Sequence, residues 1–271
     1  DLVDGARSAF GTFGGALKDI DATTLGRIAS EAAIKRSGVQ AEDIDLTVFG
    51  NVLHASNNSP YLARHVALQS GVPIASPSLS VNRLCGSGLQ SVVSAAQSLM
   101  LGEGRLALTG GTENMSMTPH VLRGARFGTK LGSPQIDDML WAGLTDEYIG
   151  AGMGVTAENL AEKYHITREE QDEYALRSHE LATKAQHEGK FKEEIVAVEV
   201  KTRRGTKSFD TDEHIRPDSS LEQLSKLRPA FKKDGTVTGG NASGINDGAA
   251  ANIIATESYI EEKGLNPLAR I

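Results

Sequence analysis

Ser80-Val81-Asn82-Arg83-Leu84-Cys85-Gly86-Ser87-Gly88-Leu89-Gln90-Ser91 runs from an apolar strand end through a small-residue elbow into a helix, and it holds the only cysteine among 271 residues. The helix continues through Val92, Val93, Ala95, Ala96, Leu99 and Met100, an apolar face at helical spacing, and stops near Gly102. This places Cys85 at a helix N-terminus, where unpaired backbone N–H groups and the macrodipole favour the thiolate, the form that attacks electrophiles. Gly86 and Gly88 let an extended ligand approach the backbone, and the N–H groups there can polarise a thioester carbonyl. An ordinary lone cysteine is a small buried hydrophobe. A core filler needs no Gly-Ser-Gly elbow behind it, so the nucleophile is the stronger reading of Cys85. The hydrolase elbow Gly-x-Ser-x-Gly fits poorly, because Arg83 stands where its first glycine would be.

The segments before and after this stretch alternate in period. Leu2-Val3 reads as a strand end, and Phe10-Gly11-Thr12-Phe13-Gly14-Gly15 as a Gly-rich loop. With Thr23 or Thr24 as cap, Leu25, Ile28, Ala29, Ala32 and Ala33 form a helical stripe that ends at Gly38. Residues 46–52 read as a strand, and Ser59 with Pro60 opens a helix through Leu62, Ala63 and Val66 that closes near Gly71. Residues 79–81 are a third strand and 106–109 a fourth, ending at Gly110-Gly111. This alternation predicts an α/β fold with a mainly parallel sheet and right-handed crossovers, with ligands beyond the carboxyl ends of the strands, where Cys85 falls.

After Met115 the alternation lapses, and the chain to Leu144 reads as loop. Thr156 opens a helix, and Thr167 with Glu170 makes a capping box for another that runs to Gly189. Residues 195–202 alternate as a strand before a turn at Arg203-Arg204-Gly205. From about Thr236 the small-residue pattern returns, with 249–255 as a buried helix or strand. Residues 116–237 are therefore expected to be inserted into a domain made of 1–115 and 238–271.

With 39% hydrophobic residues the chain can bury a substantial core, in one large or two modest domains. No apolar run approaches the ~20 residues that span a bilayer, so no membrane partner is expected. No charged-then-apolar leader precedes the first segment, and the start at Asp1 rather than Met leads us to expect an incomplete N-terminus. A single cysteine excludes an internal disulfide framework, in keeping with a reducing compartment. The net charge of -7 argues against nucleic acid as a partner, and any anionic ligand must meet local cations. No His/Cys/Asp/Glu cluster has metal-ligand spacing, and no Gly-x-x-x-x-Gly-Lys loop is present. Among the histidines, His179 and His187 sit on a charged helix and His165 between helices, while His54 alone lies near a strand's carboxyl end on the Cys85 side.

Asn82-Arg83-Leu84-Cys85-Gly86-Ser87-Gly88 resembles the thiolase signature around the cysteine that carries the acyl group. Gly110-Gly111-Thr112-Glu113-Asn114-Met115-Ser116 resembles that family's glycine-rich loop, and Gly240-Asn241-Ala242-Ser243-Gly244-Ile245-Asn246-Asp247-Gly248-Ala249-Ala250 its next fingerprint. The three blocks stand in family order. Tyr61-Leu62-Ala63-Arg64-His65 and Arg126-Phe127-Gly128-Thr129-Lys130-Leu131-Gly132 lean toward the 3-ketoacyl-CoA thiolases, including the acetyl-CoA acyltransferases of fatty-acid oxidation. Gly152 is a departure from many acetoacetyl-CoA thiolases, which place a histidine just before this methionine.

The resemblance implies a thiolase-like layered fold with 116–237 as an inserted α+β loop domain, whose segment around 119–142 includes a loop that pairs dimers into tetramers. It implies an acyltransferase acting through an acyl-cysteine at Cys85, with coenzyme A and acyl-CoA thioesters as substrates and no permanently bound cofactor. The expected coenzyme A contacts are Leu144, Met153, Arg216, Ser219, Phe231, Ala242, Ser243 and Ile245. Aliphatic and Phe side chains would line the pantetheine and adenine, Arg216 would meet phosphate, and Ser243 an amide of the tail. A homodimer or homotetramer is expected, in the cytoplasm or, in a eukaryote, the mitochondrial matrix. The family also uses a Gly-His-Pro histidine, an Asn-Glu-Ala-Phe segment and a second cysteine on a C-terminal domain, and none of them occurs among these residues. The expectation is therefore that the C-terminal thiolase domain is absent from this chain, which leaves a catalytically incomplete coenzyme A-binding or assembly module as the alternative.

Overall fold

A computed structural model of the chain describes every residue from Asp1 to Ile271. Strand β1 (Leu2–Ser8) and the short β2 (Gly11–Thr12) open the chain, followed by α1 (Ala22–Ser37), β3 (Leu46–Gly50), α2 (Leu62–Gln69), β4 (Ser78–Val81), α3 (Ser87–Met100) and β5 (Leu106–Asn114). Then come α4 (Met153–Tyr164), α5 (Arg168–His187), β6 (Ile195–Val196), β7 (Val198–Thr202), β8 (Gly205–Phe209), β9 (Asn246–Ala255) and α6 (Glu257–Lys263). They form two compact units. The first is Asp1–Thr118 with Glu194–Glu213 and Asn246–Ile271, and the second Pro119–Glu193 with His214–Ile245.

The first unit is built on a seven-stranded sheet in the order β6-β1-β9-β5-β3-β4, with β2 against β9. β1 pairs parallel with β6, and β3 with both β4 and β5, while β9 runs antiparallel to β1, β2 and β5. All strands thus point one way except β9. The sheet is mainly parallel, as expected, and the sequence left this one reversed strand open between helix and strand. Its Asn-Asp-Gly-Ala-Ala-Ala start is small and aperiodic because a central strand has both faces covered.

Residues on β5 alternate between two layers. Leu106 and Leu108 join the core under α1 and α2, and further along Thr112 Oγ1 donates to Ala22 O at 2.7 Å while Asn114 Nδ2 donates to Leu17 O at 3.0 Å. Ala107 faces the other way, into a smaller cluster of Leu46, Val48, Ala95, Leu99 and Ile254 that holds α3. Gly110-Gly111 was expected to end this strand, but β5 continues to Asn114. A Cβ on Gly110 would run into the Ala250 carbonyl and the Phe49 ring, so close approach of neighbours, not a turn, calls for glycine here. The same holds at Gly50, where a Cβ would meet Ser87 at the start of α3.

Local signals place the other elements. The cap of α1 is Asp21, whose side chain accepts the Thr24 N–H, in place of the expected Thr23 or Thr24, and the helix ends at Gly38 with φ 72°. Ser59–Tyr61 forms a 3₁₀ turn before α2 begins. In the second unit α4 starts at Met153, a turn earlier than Thr156, and α5 opens on the expected capping box of Thr167 and Glu170. Buried Glu158 on α4 accepts the Thr236 N–H at 2.9 Å and the Val237 N–H at 2.8 Å, tying the 236–237 backbone to the helix.

Residues 194–213 lie inside the stretch grouped as 116–237 by sequence pattern, yet they pack with the first unit, and residues 238–245, grouped by that pattern with the sheet, pack with the second. β6 extends the sheet beside β1, and Arg7 grips Asp212 with two nitrogens at 2.8 and 2.9 Å. No helix is long and apolar enough to cross a membrane.

Candidate active site

Cys85 lies between β4 and α3, one residue before the Gly86 N-cap, and is exposed. Leu84, just before it, has φ 48°, a left-handed conformation that costs a branched side chain about 1–2 kcal/mol. Ser87 holds the chain in that shape. Its Oγ accepts the Arg83 N–H at 2.8 Å and donates to the Leu84 carbonyl at 2.6 Å, while Asn82 Oδ1 accepts the Leu84 N–H at 3.0 Å. The Arg83 guanidinium is turned along the helix to Gln90 Oε1, 2.8 Å away. The elbow therefore presents Cys85 clear of its neighbours at the head of α3, over the ends of β3 and β5, where Gly50 and Gly111 let the helix start sit on the sheet. A thiol so placed can attack an electrophilic carbonyl, while the Gly86 and Ser87 N–H groups that follow it are bonded to Arg83 O and Leu84 O at 3.1 and 3.0 Å.

The residues expected at coenzyme A all fall within the second unit. Met153 N–H donates to Leu144 O at 3.1 Å, and the Phe231 ring lies where a Cβ on the next residue, Gly154, would be, so Leu144, Met153 and Phe231 are brought together. Arg216 and Ser219 share a turn, Ser219 N–H donating to Arg216 O at 3.3 Å. Ala242 is bonded through its N–H to Thr238 O at 3.0 Å, Ser243 is exposed, and Ile245 is half-buried. A cleft of about 430 Å³ in this unit is lined by Tyr164, His165, Ile166, Glu170, Gln171, Tyr174 and Asn241, none of which is among those expected contacts.

His179 is not only part of a charged helix face: its Nδ1 accepts the Arg216 N–H at 3.3 Å and its ring stacks on His214 at 6.2 Å. Burial first, then the charges of His214 and Arg216, hold it below the usual histidine range.

A family model described as "Thiolase, N-terminal domain" matches residues 2–258. The chain belongs to the thiolase family. It is 49% identical over 271 residues to the mitochondrial 3-ketoacyl-CoA thiolase of Homo sapiens, aligning over 100% of its own length and 68% of that relative. To the acetyl-CoA acetyltransferase of Syntrophomonas wolfei it is 46% identical, over 100% of this chain and 68% of that one. The human mitochondrial 3-ketoacyl-CoA thiolase solved in complex with CoA matches with a TM-score of 0.96 and 48% identity, again over 100% of this chain and 68% of the other. This thiolase chain therefore spans about two thirds of the relatives it matches.

One half-buried acid of the first unit is not singled out by the sequence. Glu113, near the end of β5, accepts the backbone N–H groups of Val52 and Leu53, the latter at 3.2 Å. Burial pushes its carboxyl up to about 7, against the pull of those two donors. A glutamate inside a glycine-rich strand gives only one sequence signal, its place among residues too small to be surface filler.

Proposed function

We propose that Cys85 is the acyl-accepting nucleophile of a thiolase acting on 3-ketoacyl-CoA. The sulfur attacks the keto carbonyl, the bond to the neighbouring carbon breaks, that carbon takes a proton and acetyl-CoA leaves. A second coenzyme A thiol then removes the acyl group from sulfur as a shortened acyl-CoA. Run backwards, the sequence is a Claisen condensation. The observation that carries this reading is the strained elbow: Leu84 in the left-handed region, locked by Ser87, aims the one cysteine away from the core at the head of α3. Splitting one carbon–carbon cleavage into two acyl transfers lowers each barrier. The proton at carbon needs a second acid/base group, typically worth roughly 10²–10⁴-fold, a role the family resemblance gives to the Gly-His-Pro histidine.

The second unit is the coenzyme A-binding loop domain in this account, with Leu144, Met153 and Phe231 against the pantetheine and adenine, Arg216 and Ser219 toward phosphate, and Ala242, Ser243 and Ile245 along the tail. Mutual approach of Leu144, Met153 and Phe231 supports the apolar part. The sub-type favoured is the 3-ketoacyl-CoA acyltransferase over the acetoacetyl-CoA enzyme, on Gly152 and on the similarity to the human mitochondrial protein. That similarity also supports a mitochondrial matrix setting if the source is a eukaryote, with the cytoplasm as the alternative. A homodimer or homotetramer fits the antiparallel pair at 120–121 and 137–138, which carries exposed Phe127 and Leu131 between its strands.

Calorimetric titration tests the coenzyme A assignment. Arg216→Ala should weaken coenzyme A binding by about 1–2 kcal/mol, roughly five- to thirtyfold in Kd. An unchanged Kd removes Arg216 from the phosphate site.

A further inference from the structure

Glu113 stands on the face of β5 that carries α3, in line with Ala107 and Gly111; Ala107 packs in the α3 cluster, and a Cβ on Gly111 would touch the Gly88 backbone. Its carboxyl is therefore at the carboxyl end of the sheet, on the side of the Cys85 elbow. Its partners are two consecutive backbone N–H groups, Val52 and Leu53, at the start of the 51–58 loop between β3 and the turn before α2. Asn51 adds a second tie, donating from Nδ2 to Thr112 O at 2.9 Å, while its Oδ1 is buried with no donor. The corner thus offers an acceptor to spare, and a protonated carboxyl would bring a donor into it.

We propose that Glu113 is a positioning residue for the reaction at Cys85: its carboxyl latches the 51–58 loop to the end of β5, beside the α3 N-terminus. This rests on the reading of Cys85 as the nucleophile. A carboxyl buried without a cation is more stable protonated than ionised, and burial places this one at about 7 against an ordinary 4.5. A raised value means that the closed loop holds its proton more tightly than the open one. The latch is therefore firm at low pH and is lost as pH rises through about 7. The titratable or charged groups on the surrounding elements are His54 on the loop, Arg83 and Cys85 on the elbow, and Asp247 on β9, with none on β3 or β4. Arg83 is held by Gln90, and Asp247 bonds the Ser116 N–H and hydroxyl at 3.0 and 2.5 Å.

Hydrogen exchange and thiol labelling test this in the full chain. After correction for intrinsic exchange, protection of the Val52 and Leu53 amides should fall about threefold or more between roughly pH 6 and 8.5 in the wild type and stay flat in Glu113→Gln. Over the same range iodoacetamide alkylates Cys85, the sulfur displacing iodide. The ratio of wild-type to Glu113→Gln rates should change about twofold or more, because only the wild-type loop loosens as pH rises. Amides with the same pH profile in both proteins overturn the latch, and a responding pair of amides with a constant labelling ratio overturns the positioning role. Should Glu113→Gln fail to fold, a flat wild-type amide profile alone overturns the proposal. Neither readout requires acyl transfer, so a failed acylation assay would count against the thiolase reading and leave these results standing.

Discussion

At Leu84 the chain holds a leucine at φ 48°, and with 63% of that residue exposed no burial compensates for it. The bonds from Ser87 and Asn82 do. A β-branched residue tolerates the left-handed region less well than leucine, and glycine enters it freely. Leu84→Ile should therefore lower unfolding stability by about 1 kcal/mol or more in urea titration, while Leu84→Gly stays level or gains. If isoleucine is tolerated as well as leucine, the elbow is not strained. The place of Cys85, exposed at an elbow just before a helix, was legible from sequence because the Gly-Ser-Gly that follows it marks that elbow. Leu84 and Glu113 were not: nothing in a leucine's neighbours prints its φ, and a glutamate reads as surface until the strand that buries it is placed.

Elements were legible where their ends carry their own chemistry. The Thr167–Glu170 box and Gly38 set their helix ends through local bonds and a positive φ, and the structure has both. β5 and β9 were read short or left undecided because glycine and alanine fill them for packing reasons that only neighbouring strands reveal. In the second unit Glu158 joins two elements: it is 4% exposed, and its carboxylate takes the N–H groups of Thr236 and Val237 and the Thr236 hydroxyl at 3.0 Å. Burial acts to raise its pKa, but these donors outweigh it and the net shift is downward. A lowered folded value stabilises above the unfolded pKa of about 4.3 and is lost as pH falls through the folded value. Glu158→Gln should thus cost about 1–3 kcal/mol at neutral pH, with the gap to wild type closing in acid, as read by denaturant midpoints across pH. A gap that does not narrow on acidification would mean that charge plays no part in the joint.

For the whole molecule, the sequence pattern groups 116–237 as one insertion and 238–271 with the sheet, whereas residues 194–213 pack with the first unit and 238–245 with the second; ties such as β6 on β1 and the Arg7–Asp212 pair join residues far apart in the chain, which no local pattern records. The thiolase account divides labour accordingly. The first unit holds the cysteine and the second the residues expected at coenzyme A. Its central claim is that the acyl group lands on Cys85, and the most direct measurement is peptide mass spectrometry after brief incubation with an acyl-CoA and acid quench. The account predicts one acyl group on the peptide containing Cys85, lost on hydroxylamine treatment as a thioester should be, and absent from Cys85→Ser. Acylation at another residue, or equal labelling of the Cys85→Ser protein, would contradict it.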